Sequence, residues 1–194
     1  MHHLTISIIF LYSKKFHFTT LIGRNLQMLG FHPPFKFLIL QKLNPKKIVA
    51  TGLLTGLLDI CAAMIKFYID TGKGPAPIFK YIASAVFGMN AFTGSEGMIA
   101  WGIIFHFAIA ILFTAFLLVI YPMVRGALKS NLVIAIVYGL FVWIVMNLLI
   151  LPLTNIPPRP AFDLREALIG MGILIIAIGL PVAIVGKKIY GHKD

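Results

Sequence analysis

Residues 48–70, IVATGLLTGLLDICAAMIKFYID, form a nearly unbroken apolar run, long enough to cross a bilayer as a helix. Within it Gly52, Gly56, Asp59, Ala63, Lys66 and Asp70 recur at alternating spacings of four and three, so they share one helical stripe. The remaining faces carry Leu, Ile, Met, Val and Phe. Such a helix turns its small-and-ionisable stripe toward protein and its oily back toward lipid. Gly52 and Gly56 admit a close backbone neighbour. Asp59 stands near the middle of the run, where a charge costs roughly 3 kcal/mol or more unless it is paired or watered. What faces Asp59 is therefore the main question this chain poses, and no specific biochemical activity is legible beside it.

The rest of the chain agrees with a membrane setting. It is 194 residues long, 59% hydrophobic and only 12% charged, with a mean hydropathy of +0.94. A soluble domain would carry about twice that charged fraction. The net charge of +11 would suggest nucleic acid in a soluble protein. Here the basic residues flank apolar runs, so they are read as a topology signal and an attraction to anionic headgroups. The expected partner is thus the lipid bilayer and not nucleic acid. The single cysteine, Cys61, lies inside the first run, which leaves no intrachain disulfide.

Residues 1–47 differ from the remainder of the chain. They hold no Asp or Glu but carry Lys14, Lys15, Arg24, Lys36, Lys42, Lys46 and Lys47, and their two apolar patches, 6–12 and 35–40, are too short to span. Three readings stay open: a loosely ordered arm, a basic segment lying on the membrane surface, or a true start at Met28 or nearby. Beyond the arm, spans are expected at about 48–69, 98–120, 132–153 and 167–185, each near the ~20 residues needed to cross. The fold class expected is all-α: a polytopic four-helix bundle over 48–188 with a short tail, 189–194. Tyr121-Pro122 should stop the second span, and Pro181 should kink the fourth or start its last turns. The excess of Lys/Arg before the first span, between the second and third, and after the fourth puts both termini in the cytoplasm of a bacterial inner membrane. On the other side, residues 78–92 read as a short amphipathic helix, interfacial or re-entrant, with Pro75 and Pro77 opening it and Gly88 or Gly94 closing it. Asp163, with Glu166 three residues on, reads as the N-cap of the fourth helix.

Few polar side chains fall within the spans. Counted inward from the outer ends, Lys66 lies about 5 Å deep, Asn147 about 9 Å, His106 about 12 Å and Asp59 about 15 Å. His106 and Asp59 reach nearly the same level, so His106 is the expected partner of Asp59. Gly102, Gly139, Gly172 and Gly179, together with Gly52 and Gly56, supply close-approach faces that would turn these polar groups inward. Two functional readings compete. Asp59, Lys66, His106 and Asn147 form an outer cavity that binds or passes a small solute or proton, or they are packing glue in a structural protein whose glycine faces meet a second copy or another membrane protein. An intramembrane enzyme is a third reading with little behind it, since the chain has no HExxH, GxSxG or Walker loop. No cofactor is implied, and a zinc site would need more ligands than the spans hold.

The set GLLTGLLDICAA, YIASAVFGMNAFTG, GIIFHFAIA, YGLFVWIVMNLLILPL and IGLPVAIV resembles small four-helix bacterial inner-membrane proteins of the YagU-like kind. The likeness covers about residues 48–188. It implies architecture and location, and no activity comes with it.

Overall fold

A computed structural model describes residues 43–94, 96–156 and 163–191. The arm up to residue 42, with the question of the start site, lies outside the described residues. Among the described residues there is no strand. The helices run in the order α1 (Pro45–Thr71), α2 (Ala76–Phe87), α3 (Asn90–Thr93), α4 (Gly97–Leu128), α5 (Asn131–Leu153) and α6 (Leu164–Tyr190). Of these α1, α4, α5 and α6 are long and apolar enough to cross a membrane. They build an all-α polytopic bundle. Its loop end carries the connections 72–96 and 154–163, and its terminal end carries the start of α1 and the close of α6.

Local chemistry sets the boundaries. Asn44 caps α1 by accepting from the Lys46 amide at 2.9 Å, with Pro45 in the first turn, so the helix starts three residues before the apolar run does. It ends at Gly72, whose φ of 67° is the left-handed conformation that glycine reaches without a Cβ penalty. Gly88, with φ of 58°, closes α2 in place, and Gly94 closes the separate short helix α3. One stretch expected as a single helix over 78–92 is therefore two.

The second span departs from expectation at Pro122. The helix runs through it to Leu128, where Lys129 closes it in the left-handed region with its amide on the Arg125 carbonyl at 3.0 Å. Pro122 removes one hydrogen bond of the ladder. Leu118 and Tyr121 before it are buried and Val124 after it packs against the core, and this tertiary contact carries the helix past the break. Two other prolines leave clearer marks. The helix widens into π turns at Val145–Ile150, just before Pro152, and at Ile175–Gly179, just before Pro181. A proline ring collides with the carbonyl four residues earlier, and a widened turn at that point relieves the collision. Pro181 thus starts the last turns of α6.

Glycines set the helix contacts. A Cβ on Gly52 would fall 2.7 Å from the Ile111 backbone, and one on Gly56 2.9 Å from the Phe107 ring, so α1 lies tightly on α4. Gly102 is pressed on the Phe79 backbone of α2. A Cβ on Gly139 would meet the Ile175 backbone at 2.5 Å, and Gly179 faces the Ala135 carbonyl, locking α5 to α6. Gly172 differs, for a Cβ there would meet nothing within 4 Å. The apolar core occupies the terminal half: Leu117, Leu118, Ile134, Tyr138, Val142 and Val182 are nearly inaccessible. Ile65, Leu112, Leu148 and Ile176 point outward, as lipid-facing side chains do.

Candidate functional site

The stripe on α1 does not face a single neighbour. Its lower part, Gly52 and Gly56, is taken by α4, while Asp59, Ala63, Lys66 and Asp70 open onto a cleft of about 870 Å³. Trp143 and Asn147 of α5 and Asp163, Glu166 and Gly170 of α6 line the other side, and Ile78 of α2 reaches its edge. The cleft sits in the loop half because α1 leans on α4 at its lower glycines and α5 is joined to α6 at Gly139 and Gly179. Above those contacts the helix pairs part.

The mouth is held by Lys66. Its Nζ lies 2.5 Å from Asp70 Oδ2, one turn on, and 2.5 Å from Glu166 Oε2 on α6. Lys66 thus bridges two helices with its side chain 26% exposed. Asp163 does cap α6, accepting from the amides of Arg165 at 2.8 Å and Glu166 at 3.3 Å. Its negative charge also suits the helix N-terminus. Glu166, the expected second half of a capping box, turns its side chain to Lys66 instead.

Deeper in the cleft stands Asp59, half-buried on the same face and two turns below Lys66. Among the described residues its carboxylate makes no hydrogen bond and no ion pair. His106 is near enough to act on it electrostatically but does not bond it. Instead the His106 ring donates Nε2–H to the Gly56 carbonyl at 2.8 Å, across the seam between α1 and α4. A carbonyl can only accept, so the proton is on Nε2. The physical reason is the bare glycine: with no side chain at residue 56, its carbonyl is open to a ring from the neighbouring helix. The expected Asp59–His106 pair thus stands as an electrostatic interaction without a hydrogen bond, the ring's bond goes to the backbone, and His106 is not among the cleft-lining residues. His106→Ala is expected to cost about 1 kcal/mol for the lost bond and to leave the cleft intact. Thermal unfolding of the purified protein measures it; a cost several times larger would give the ring a further role.

Asn147 lines the cleft and donates to the Trp143 carbonyl at 2.9 Å, within the stretch where the π turn disrupts the ordinary ladder. Three of the four residues singled out from the sequence therefore share one cavity. The residues missed are Asp70, Trp143, Asp163 and Glu166. Charge bookkeeping could have found them: four of the six acidic residues of the chain, Asp59, Asp70, Asp163 and Glu166, line this cleft. Against them stands the single ammonium of Lys66, which leaves the lining at a formal −3 in a chain of +11. The acids are spread along the cleft, and no three metal-ligating side chains among the described residues converge on one point.

No family model, curated protein or solved structure matches this chain.

Proposed function

We propose that this chain is a non-enzymatic multi-pass membrane protein whose loop-end cleft binds or passes a small cation. The observation that carries the reading is the gathering of four of six carboxylates around one cavity of a strongly basic chain. Like charges repel, and collecting them opposes folding. Such repulsion is offset when a cation arrives from outside the fold. Asp59, at mid-bilayer depth without a bonding partner among the described residues, is the group a solute ammonium or a proton would reach last.

Orientation is part of the proposal. Lys46, Lys47, Arg125, Lys129, Lys187 and Lys188 fall at the terminal end, while all the described acids lie at the middle of the bundle or beyond it toward the loops. By the positive-inside rule this distribution supports a terminal end in the cytoplasm of a bacterial inner membrane and a cleft that opens outward. The YagU-like resemblance is proposed on the same footing, for architecture and location. The rival role, an accessory protein that packs on a partner or a second copy through glycine faces, draws its support from Gly172 alone. The other candidate faces, at Gly52, Gly56, Gly102, Gly139 and Gly179, are filled by the chain's own helices.

Water access tests the reading. In a Cys61→Ala background, single cysteines at Asn147, Asp59 and His106 are treated with a small impermeant thiol reagent, in intact cells and in inside-out vesicles. Labelling at residues 147 and 59 from intact cells, with 106 protected in its seam, is the expected result. Labelling from vesicles alone would reverse the orientation. Protection at residues 147 and 59 from both sides, in folded protein, would remove the cleft as a solute site.

A further inference from the structure

Lysine is itself an alkylammonium: four methylenes ending in a cation. In this protein that group is already lodged in the cleft, its Nζ held at 2.5 Å by carboxylates from two different helices. We infer that Lys66 is a tethered occupant of the mouth, and that the free ligand of the cleft is a primary alkylammonium that displaces it. The inference rests on the cation reading above and adds the class of ligand and the residue that regulates its entry.

Three features support it. The carboxylates form two tiers. Asp70 and Glu166 at the mouth are satisfied by Lys66, and Asp59, roughly 10 Å below Lys66 along the same helix, is not bonded among the described residues. At the mouth Lys66 already occupies Asp70 and Glu166 and weakens their pull on a second cation until it is displaced.

Between the tiers the lining is largely apolar, with Ala63, Phe67, Ile173 and Leu174 among the wall residues and Asn147 as its polar exception. Such a wall suits an alkyl chain and offers nothing to the water shell of a bare metal ion. The carboxylates are also too dispersed to replace that shell. A primary ammonium has three N–H donors and needs only one or two carboxylate oxygens at a time, so it can move from tier to tier.

Finally, the ion pairs of Lys66 are weak enough to be displaced. It hangs on a flexible stem, its side chain is 26% exposed, and both of its carboxylate partners are 48% exposed. An exposed pair of this kind contributes only about 0–1 kcal/mol, so a ligand can break it. As an intramolecular competitor Lys66 acts at an effective concentration in the millimolar range. It would keep weakly binding cations out while yielding to a ligand that gains the second tier.

The test is calorimetric titration of the purified full-length protein in detergent with n-butylammonium chloride at low ionic strength. Lys66→Gln is expected to tighten binding by roughly tenfold or more, because the tethered competitor is gone. Lys73→Gln removes the same charge from the loop after α1, away from the cleft lining, and should change affinity by less than about twofold, since exposed charges at that range are largely screened. Equal tightening by both variants would mean a general field effect; it would overturn the role of Lys66 and leave the cation site standing. Weaker binding in Lys66→Gln would overturn it as well, by making Lys66 a support of the site. If neither the wild type nor Lys66→Gln takes up butylammonium, the cleft reading itself fails, and the inference with it. Lys66→Met keeps the stem and drops the charge, and gives the same comparison if the glutamine variant does not fold.

Discussion

Gly179→Leu is expected to eliminate most folded protein, whereas Gly172→Leu, seven residues earlier on the same helix, is expected to leave it unchanged. At residue 179 a Cβ would be driven into the carbonyl of Ala135, with the Ala135 carbonyl carbon 3.0 Å away and its Cα 3.3 Å away. All three obstacles are backbone, so no side chain can rotate aside. Across the same contact Gly139 lies so close to the Ile175 backbone that an added Cβ would fall 2.5 Å from it, so α5 already sits tightly on α6 and has little slack to make room. Overpacking a core typically costs about 1–3 kcal/mol, and a leucine against two fixed backbones belongs at or beyond the upper end. At residue 172 nothing lies within 4 Å. Thermal unfolding and size-exclusion yield of the two variants in detergent check the contrast. Equal behaviour would mean that α5 and α6 are not locked through these glycines. A loss confined to Gly172→Leu, with monomer released from a larger complex, would favour the accessory role.

Much of this architecture could be read from the residues, because in lipid the backbone must satisfy itself and a helix does so within one segment. Apolar runs of the right length therefore announce their spans. The glycine spacings announced close contacts too, but not with whom: the stripe on α1 looks like one face in sequence and serves two neighbours in space. Prolines were legible only in part. The break at Pro181 is visible in the sequence, whereas continuation through Pro122 depends on packing that local chemistry does not encode. The cleft was half legible. Asp59, Lys66 and Asn147 stand out because polar groups are rare inside spans. Asp163 and Glu166 do not, because at a helix start acidic residues already have an ordinary explanation as caps. That explanation accounts for Asp163 and fails for Glu166, whose partner lies roughly a hundred residues away on α1, a distance no local pattern can report. His106 misled for a related reason. Equal depth along two helices says nothing about rotation, and the ring turned toward a bare glycine carbonyl rather than the carboxylate.

Asp59→Asn is expected to do two things at once: to abolish cation binding and to make the protein more stable. Ordinarily the loss of a polar group inside a membrane bundle weakens it, because a hydrogen-bonded partner is stranded. Asp59 strands no one, for among the described residues it has neither a hydrogen bond nor an ion pair. The electrostatic influence of His106 is the one favourable interaction given up, and it acts without contact. Against this stands the cost of a carboxylate near the centre of a span, about 3 kcal/mol on insertion scales and less where water reaches it from the cleft. Asparagine keeps the shape and drops the charge, so relief of even 1 kcal/mol would raise the unfolding midpoint by roughly 2–4 °C for a domain of this size. Butylammonium should in turn lose the one carboxylate that Lys66 leaves free; losing one partner of a desolvated charge contact typically costs about 2–5 kcal/mol, enough to make binding undetectable at millimolar ligand. Asp59→Glu, which restores the charge, should recover part of the binding and surrender the gain in stability. The two readings of the polar cluster differ in the sign of one number. A lower unfolding midpoint in Asp59→Asn would mean that the carboxylate holds helices together, and packing glue would be its role. A higher midpoint with binding lost would mark a residue kept at the expense of stability, as groups retained for a ligand are.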